Sequence, residues 1–226
     1  VNAVAPIRTP PGRAGRQHLL HRLAVAARGA DLLEKKLRIL RTEHQRLLQA
    51  EEACSAAWRE RLGEAETWLS RGLVLSGEHA LYSAAAGLAP ADVTVGWTAS
   101  MGVRRPSGIS CTVPARPPSA ATPGNTALVH AEAAYRQAVR AAADHACARA
   151  AARIVGAEVA STSRRVRALR RHWIPRLQEA LAHVDLALEQ SEHEDSVRRR
   201  WAAQVLKGME WPPERDGPSA DRSARR

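Results

Sequence analysis

Between Val159 and Leu188 apolar residues recur at Val159, Val166, Leu169, Trp173, Leu177, Leu181, Val184 and Leu188, in steps of three, four or seven. That spacing predicts one seam of a helix laid against a partner, with arginine-rich faces left in water. Pro175 lies inside this stretch and predicts a helix bend, because proline removes the bond to the carbonyl four residues back. A second helical pattern runs from about residue 13 to 75. Its positions are Leu23, Ala26, Ala30, Leu33, Leu37, Leu40, His44, Leu47, Glu51, Cys54, Trp58, Arg61, Ala65, Trp68, Gly72 and Leu75. Three of these are polar, so the heptad weakens toward its second half. Gly29 in its interior is read as a point of close approach to the partner backbone.

Between the two patterns the period changes. Val93, Val95 and Trp97 alternate with Thr94, Gly96 and Thr98, and Ile109, Cys111 and Val113 alternate with Ser110 and Thr112. These predict two short strands joined through MGVRRPSG as a β-hairpin. Ser76-Gly77 is a stop for the first helix, and Pro114 to Gly124 is a proline-rich connector. Asn125 or Thr126 caps the second helix, and Gly208 with Pro212-Pro213 ends it.

The expected organisation is an irregular arm over residues 1–12, a long helix over 13–75, and a short helix, loop and hairpin over 76–127. A second long helix follows over 128–207, and a disordered basic tail over 208–226. The fold class is mainly α: a long antiparallel two-helix coiled coil with a small β-hairpin at the turn end. Each helix serves as the other's core. That pairing brings Cys54 within a turn or two of Cys147, as small core residues in preference to a disulfide.

Composition sharpens this picture. The 226 residues contain no phenylalanine and 4% aromatics, and alanine supplies much of the apolar content, which suits a thin interhelical seam better than a thick core. The net charge of +11 fits an acidic protein partner, nucleic acid or an anionic surface. Three cysteines without zinc spacing point to a reducing compartment, and neither a signal-peptide core nor a run of 18 apolar residues is present.

Chemistry of the catalytic kind has no motif here. GxxxxGK[ST], GxSxG, HExxH and CxxC are all absent. His18 and His21 share a helical face without a neighbouring carboxylate, and Glu189, Glu192, Glu194 and Asp195 read as a solvated face. No catalytic residue, metal or cofactor is expected. The rival reading is a basic nucleic-acid binder or a free-standing coiled-coil adaptor. Nucleic acid would pair with Arg164-Arg165, Arg170-Arg171 and Arg198-Arg199-Arg200, but no aromatic platform interleaves with that charge.

Three stretches carry a resemblance. LLHRLAVAARGADLLEKKLRIL (residues 19–40), SRRVRALRRHWIPRLQEALAHVDLAL (163–188), and the hairpin with Gly102-Val103 and Val113-Pro114 are together similar to the D subunits of the V-type and A-type rotary ATPases. The resemblance covers most of residues 7–206. It departs from the family where Arg167 replaces an asparagine and where SVRRRWAAQVLKG replaces a lysine-rich ending. It implies a non-catalytic central rotor shaft that transmits rotation between a nucleotide-binding hexamer and a membrane ion-translocating ring. The partners it implies are the catalytic and regulatory subunits of that hexamer, a small companion rotor subunit, and a socket subunit linking to the ring. It places the chain in the cytoplasm, peripheral to the cell membrane, without insertion into it. On this reading Arg164, Arg165, Arg170 and Arg171 meet acidic loops of the hexamer, and Val93, Val95, Trp97 and Val113 mark the companion's contact region.

Overall fold

The computed structural model describes residue 10 and residues 12–118 and 120–208. The expected irregular arm, apart from Pro10 and Gly12, and the expected basic tail beyond Gly208 lie outside the described residues. The elements in order are helix α1 (Gly12–Ala85), strands β1 (Asp92–Ser100) and β2 (Val103–Thr112), helix α2 (Thr126–Ala168), a π-helical segment (Leu169–Trp173) and helix α3 (Ile174–Gly208). The fold is thus mainly helical, with two long helical stretches and a two-stranded antiparallel hairpin between them.

The chain divides into two compact units, Ala26–Trp173 and the remainder. In the larger unit α1 and α2 run antiparallel. As α1 advances through Glu34, His44, Trp58 and Gly72, the residues it meets recede through Arg170, Gly156, His145 and Leu128. The seam contains Ala30, Leu37, Leu40 and Ala65 from α1, and Ala131, Ala138, Ala152 and Val155 from α2, all buried. Alanine dominates because two helices alone enclose little volume, and small side chains let them approach. Where larger groups enter the seam they stack: Trp58 lies 5.3 Å from the His145 ring and Trp68 lies 4.6 Å from that of His130.

Close approach occurs at two glycines. A Cβ on Gly72 would stand 2.6 Å from Leu128 Cδ2, and one on Gly156 would stand 2.7 Å from His44 Nε2. Gly29, expected to fill this role, has open space where its Cβ would be. It lies between the seam positions Ala26 and Ala30, and its face meets no partner backbone. Leu75, expected on the seam, is 69% exposed. The pairing ends a turn earlier, where α2 begins: Asn125 caps α2 by accepting from the Leu128 N–H, and its Nδ2 donates to the Gly72 carbonyl.

Gly77 interrupts α1 with φ 70° and ψ 176°, a conformation costly for any residue with a Cβ. The hairpin turns through Met101-Gly102 alone, both with positive φ (51° and 77°), as a two-residue turn requires. The six residues after the turn, expected to form the connection, belong instead to β2. A register shift between Gly96 and Trp97 leaves Ser107 without a partner beside Pro106, where the missing proline N–H interrupts the ladder. From the turn end the hairpin folds back along the helix pair. β2 lies against α2, and Arg105 near its tip is ion-paired with Glu43 of α1.

The smaller unit pairs the first turns of α1 with α3. Leu19 and Leu177 are fully buried, and Leu181, Val184 and Leu188 are half-buried beside them. Arg13 pairs with Glu192 at 2.9 Å and Arg16 with Asp185 at 2.7 Å. Gly15 is required by its neighbour, since a Cβ there would stand 1.8 Å from the Pro10 carbonyl oxygen.

Candidate interaction surfaces

The arginine cluster separates into two kinds. Arg170 is occupied within the chain: its guanidinium donates to Glu34 at 2.9 Å and also to Asp31. The hydrogen bond from Arg170 holds Glu34 below the usual carboxylate range, and Glu34 in turn raises Arg170. Arg164, Arg165 and Arg171 are exposed and have no ion pair among the described residues. They stand on the last turns of α2 and the π segment, beside the half-buried seam residues Val166 and Leu169.

The π-helical segment ends at Trp173, and Ile174-Pro175 opens α3. Helical residues run without a break from Thr126 through the π segment to Gly208, so Pro175 lies inside a continuous helical stretch, directly after the π turn. The wider π turn ahead of it absorbs the residue that an unbroken α-helix would have to place under the proline ring. The sequence signal for this place was Pro175 itself, and the structural response is a change of helix type.

On the hairpin, Val93, Val95 and Trp97 share one face and are 46%, 42% and 51% exposed. Their cross-strand partners are Cys111, Ile109 and Pro106, the first two half-buried and the third buried. Arg104 lies over the Trp97 ring at 4.9 Å, a cation–π contact. Val113 belongs elsewhere. It follows β2 and lines an apolar cavity of about 360 Å³ with Leu69, Leu81, Leu88, Leu128 and Val139.

That cavity was not evident in the sequence, because it is assembled from α1, α2 and both connectors. Its polar wall is Arg116, which donates to Glu132 and to the carbonyls of Ala84 and Ala121. Glu132 also accepts from Arg136 at 2.9 Å. The Arg116 hydrogen bond, outweighing desolvation, holds Glu132 below the carboxylate range. Two guanidiniums share one carboxylate, so the wall keeps a net positive charge. Exposed apolar residues surround this end of the unit: Val74 (87%), Leu75, Tyr82 and Val129. In the smaller unit Val197, Trp201 and Val205 form an exposed stripe at helical spacing.

Among the described residues no group of His, Cys, Asp and Glu could hold a metal ion, and no helix is long and apolar enough to cross a membrane. Cys54, Cys111 and Cys147 are free thiols. Burial pushes the Cys147 thiol up, with smaller contributions from Asp144 and Cys54.

A long two-helix scaffold with charged and apolar faces left exposed is the architecture of a protein that works through its contacts. The chain matches the ATP synthase D subunit family over residues 16–204. It is also 32% identical, over 197 residues, to the D subunit of a V-type ATP synthase from Anaeromyxobacter sp. (strain Fw109-5), covering 84% of this chain and 91% of that protein. The chain belongs to the ATP synthase D subunit family, the non-catalytic central-stalk components of rotary ATPases. Other subunits of such a complex are its partners.

Proposed function

We propose that this chain is the rotor shaft that carries torque between the nucleotide-binding hexamer and the membrane ion-translocating ring, standing in the cytoplasm at the membrane surface. The observation that supports it best is the continuous antiparallel seam from Glu34–Arg170 to Gly72–Leu128. A member that transmits torque needs a pairing that resists sliding, and ion pairs, ring stacks and two glycine contacts fix this one in register.

The exposed Arg164, Arg165 and Arg171 are assigned to acidic loops of the catalytic and regulatory subunits, and Arg170 to tying the helices together. The apolar surroundings of Val74, Leu75 and Tyr82 are assigned to the socket subunit. The hairpin face of Val93, Val95 and Trp97 is assigned to the small companion subunit, and Val113 to the floor of the neighbouring cavity. The test is charge reversal of Arg164, Arg165 and Arg171 together in the assembled complex. Hydrolysis should continue while ion transport falls, and unchanged coupling contradicts the assignment of these arginines.

A further inference from the structure

β1 is an open edge. Its nine residues, DVTVGWTAS, pair only with β2, and among the described residues no other backbone hydrogen bond reaches them. Every second residue of β1 therefore turns its N–H and C=O outward with no protein partner. The two strands are treated differently by the sequence. β2 carries Arg104, Arg105 and Pro106, has a bulge at Ser107, and is backed by α2. Those are the features that keep a sheet edge from pairing. β1 has no lysine, arginine, proline or bulge of its own, and its one charge is Asp92 at the start. Five of its residues are β-branched or aromatic, and Val93, Val95 and Trp97 are about half exposed.

We propose that β1 receives a β-strand from the small companion subunit of the ATPase complex, extending the hairpin to three strands. This rests on the rotor reading and adds the mode of contact at the hairpin. The backbone row asks for an extended segment and not a helix, because only a strand can satisfy alternate N–H and C=O groups along such an edge. Val93, Val95 and Trp97 ask for apolar residues at every second position of the incoming strand. Arg104, stacked on Trp97 and without a carboxylate among the described residues, asks for an acidic residue near the hairpin tip. A second copy of this chain fits poorly, since two chains of net charge +11 repel and would bring like arginines together.

Residue-resolved hydrogen exchange on the full chain, alone and within the ATPase complex purified from membranes, tests this. In the isolated chain alternate amides of β1 should exchange freely while those bonded to β2 are protected. In the complex the free set should slow by about tenfold or more. Equal exchange of those amides in both states overturns the proposal while leaving the rotor reading intact. Protection that appears in the isolated chain as its concentration rises, with a dimer in solution, overturns it in favour of a second copy. Failure of the tagged chain to co-purify with ATPase subunits removes the rotor reading and the strand addition together.

Discussion

Arg105 of β2 and Glu43 of α1 form an ion pair that joins residues 62 positions apart and holds the hairpin along the helix pair. Both side chains are largely buried, at 16% and 20% exposure, so this contact is less screened than a surface pair. Arg105 also donates to the Pro106 carbonyl, while its buried Nε has no partner. Losing one partner strands the other. Glu43→Ala and Arg105→Ala should each lower stability by about 1–3 kcal/mol, with coupling in a double-mutant cycle. Thermal melts of the four proteins measure this, and additive effects would show that the pair does not anchor the hairpin.

The glycines inside the helices are expected to differ in sign. Gly72→Ala and Gly156→Ala place a methyl group against Leu128 and His44 respectively, which should cost about 1–3 kcal/mol by overpacking unless the facing side chain gives way. Gly29→Ala meets open space in a helix interior, so it should stabilise by about 1 kcal/mol. Denaturant midpoints of the three variants decide the matter.

Stability should fall in acid for an identifiable reason. Glu132 is held below its ordinary value chiefly by the Arg116 hydrogen bond, and Glu158 by the one from Lys36. A carboxylate lowered in the folded state contributes stability that is fully present above its unfolded pKa. That contribution is lost as pH falls through the lowered folded value. Melting temperature should therefore be flat near neutrality and decline below the ordinary carboxylate range. Glu132→Gln should show a shallower decline than the parent, and an unchanged slope would show that Glu132 has no part in it.

Arg170 and its neighbours make a paired comparison. Arg170→Ala breaks exposed contacts to Asp31 and Glu34, so it should lower the melting temperature slightly, and by less at high salt. Single alanine substitutions of Arg164, Arg165 and Arg171 should leave stability within about 0.5 kcal/mol of the parent. Melts at low and high salt separate the two groups, and a loss of equal size at all four positions would contradict the distinction.

Much of this architecture was legible because a two-helix scaffold writes its seam directly into the sequence. Val159, Val166, Leu169, Trp173, Leu177, Leu181, Val184 and Leu188 are all buried or half-buried. The alternation of Val93, Val95 and Trp97 marked a strand, but MGVRRPSG looked like a loop because arginine and proline mask a paired strand. A bulge at Ser107 is what lets β2 contain Pro106. Gly29 misled because a glycine inside a helix does not by itself say whether a neighbour meets it; Gly72 and Gly156 are met because Leu128 and His44 face them. The role of Arg170 was hidden for a similar reason, since pairing with Asp31 and Glu34 depends on the register between helices. The cavity around Val113 comes from four chain segments and has no local signal at all.

The most direct test of the central claim is to watch the chain turn. A probe fixed to the hairpin turn at Met101→Cys, with the native cysteines replaced by serine and the hexamer held on a surface, should rotate in one direction when ATP is added. Steady ATP hydrolysis with the probe stationary would contradict the assignment of this chain as the shaft.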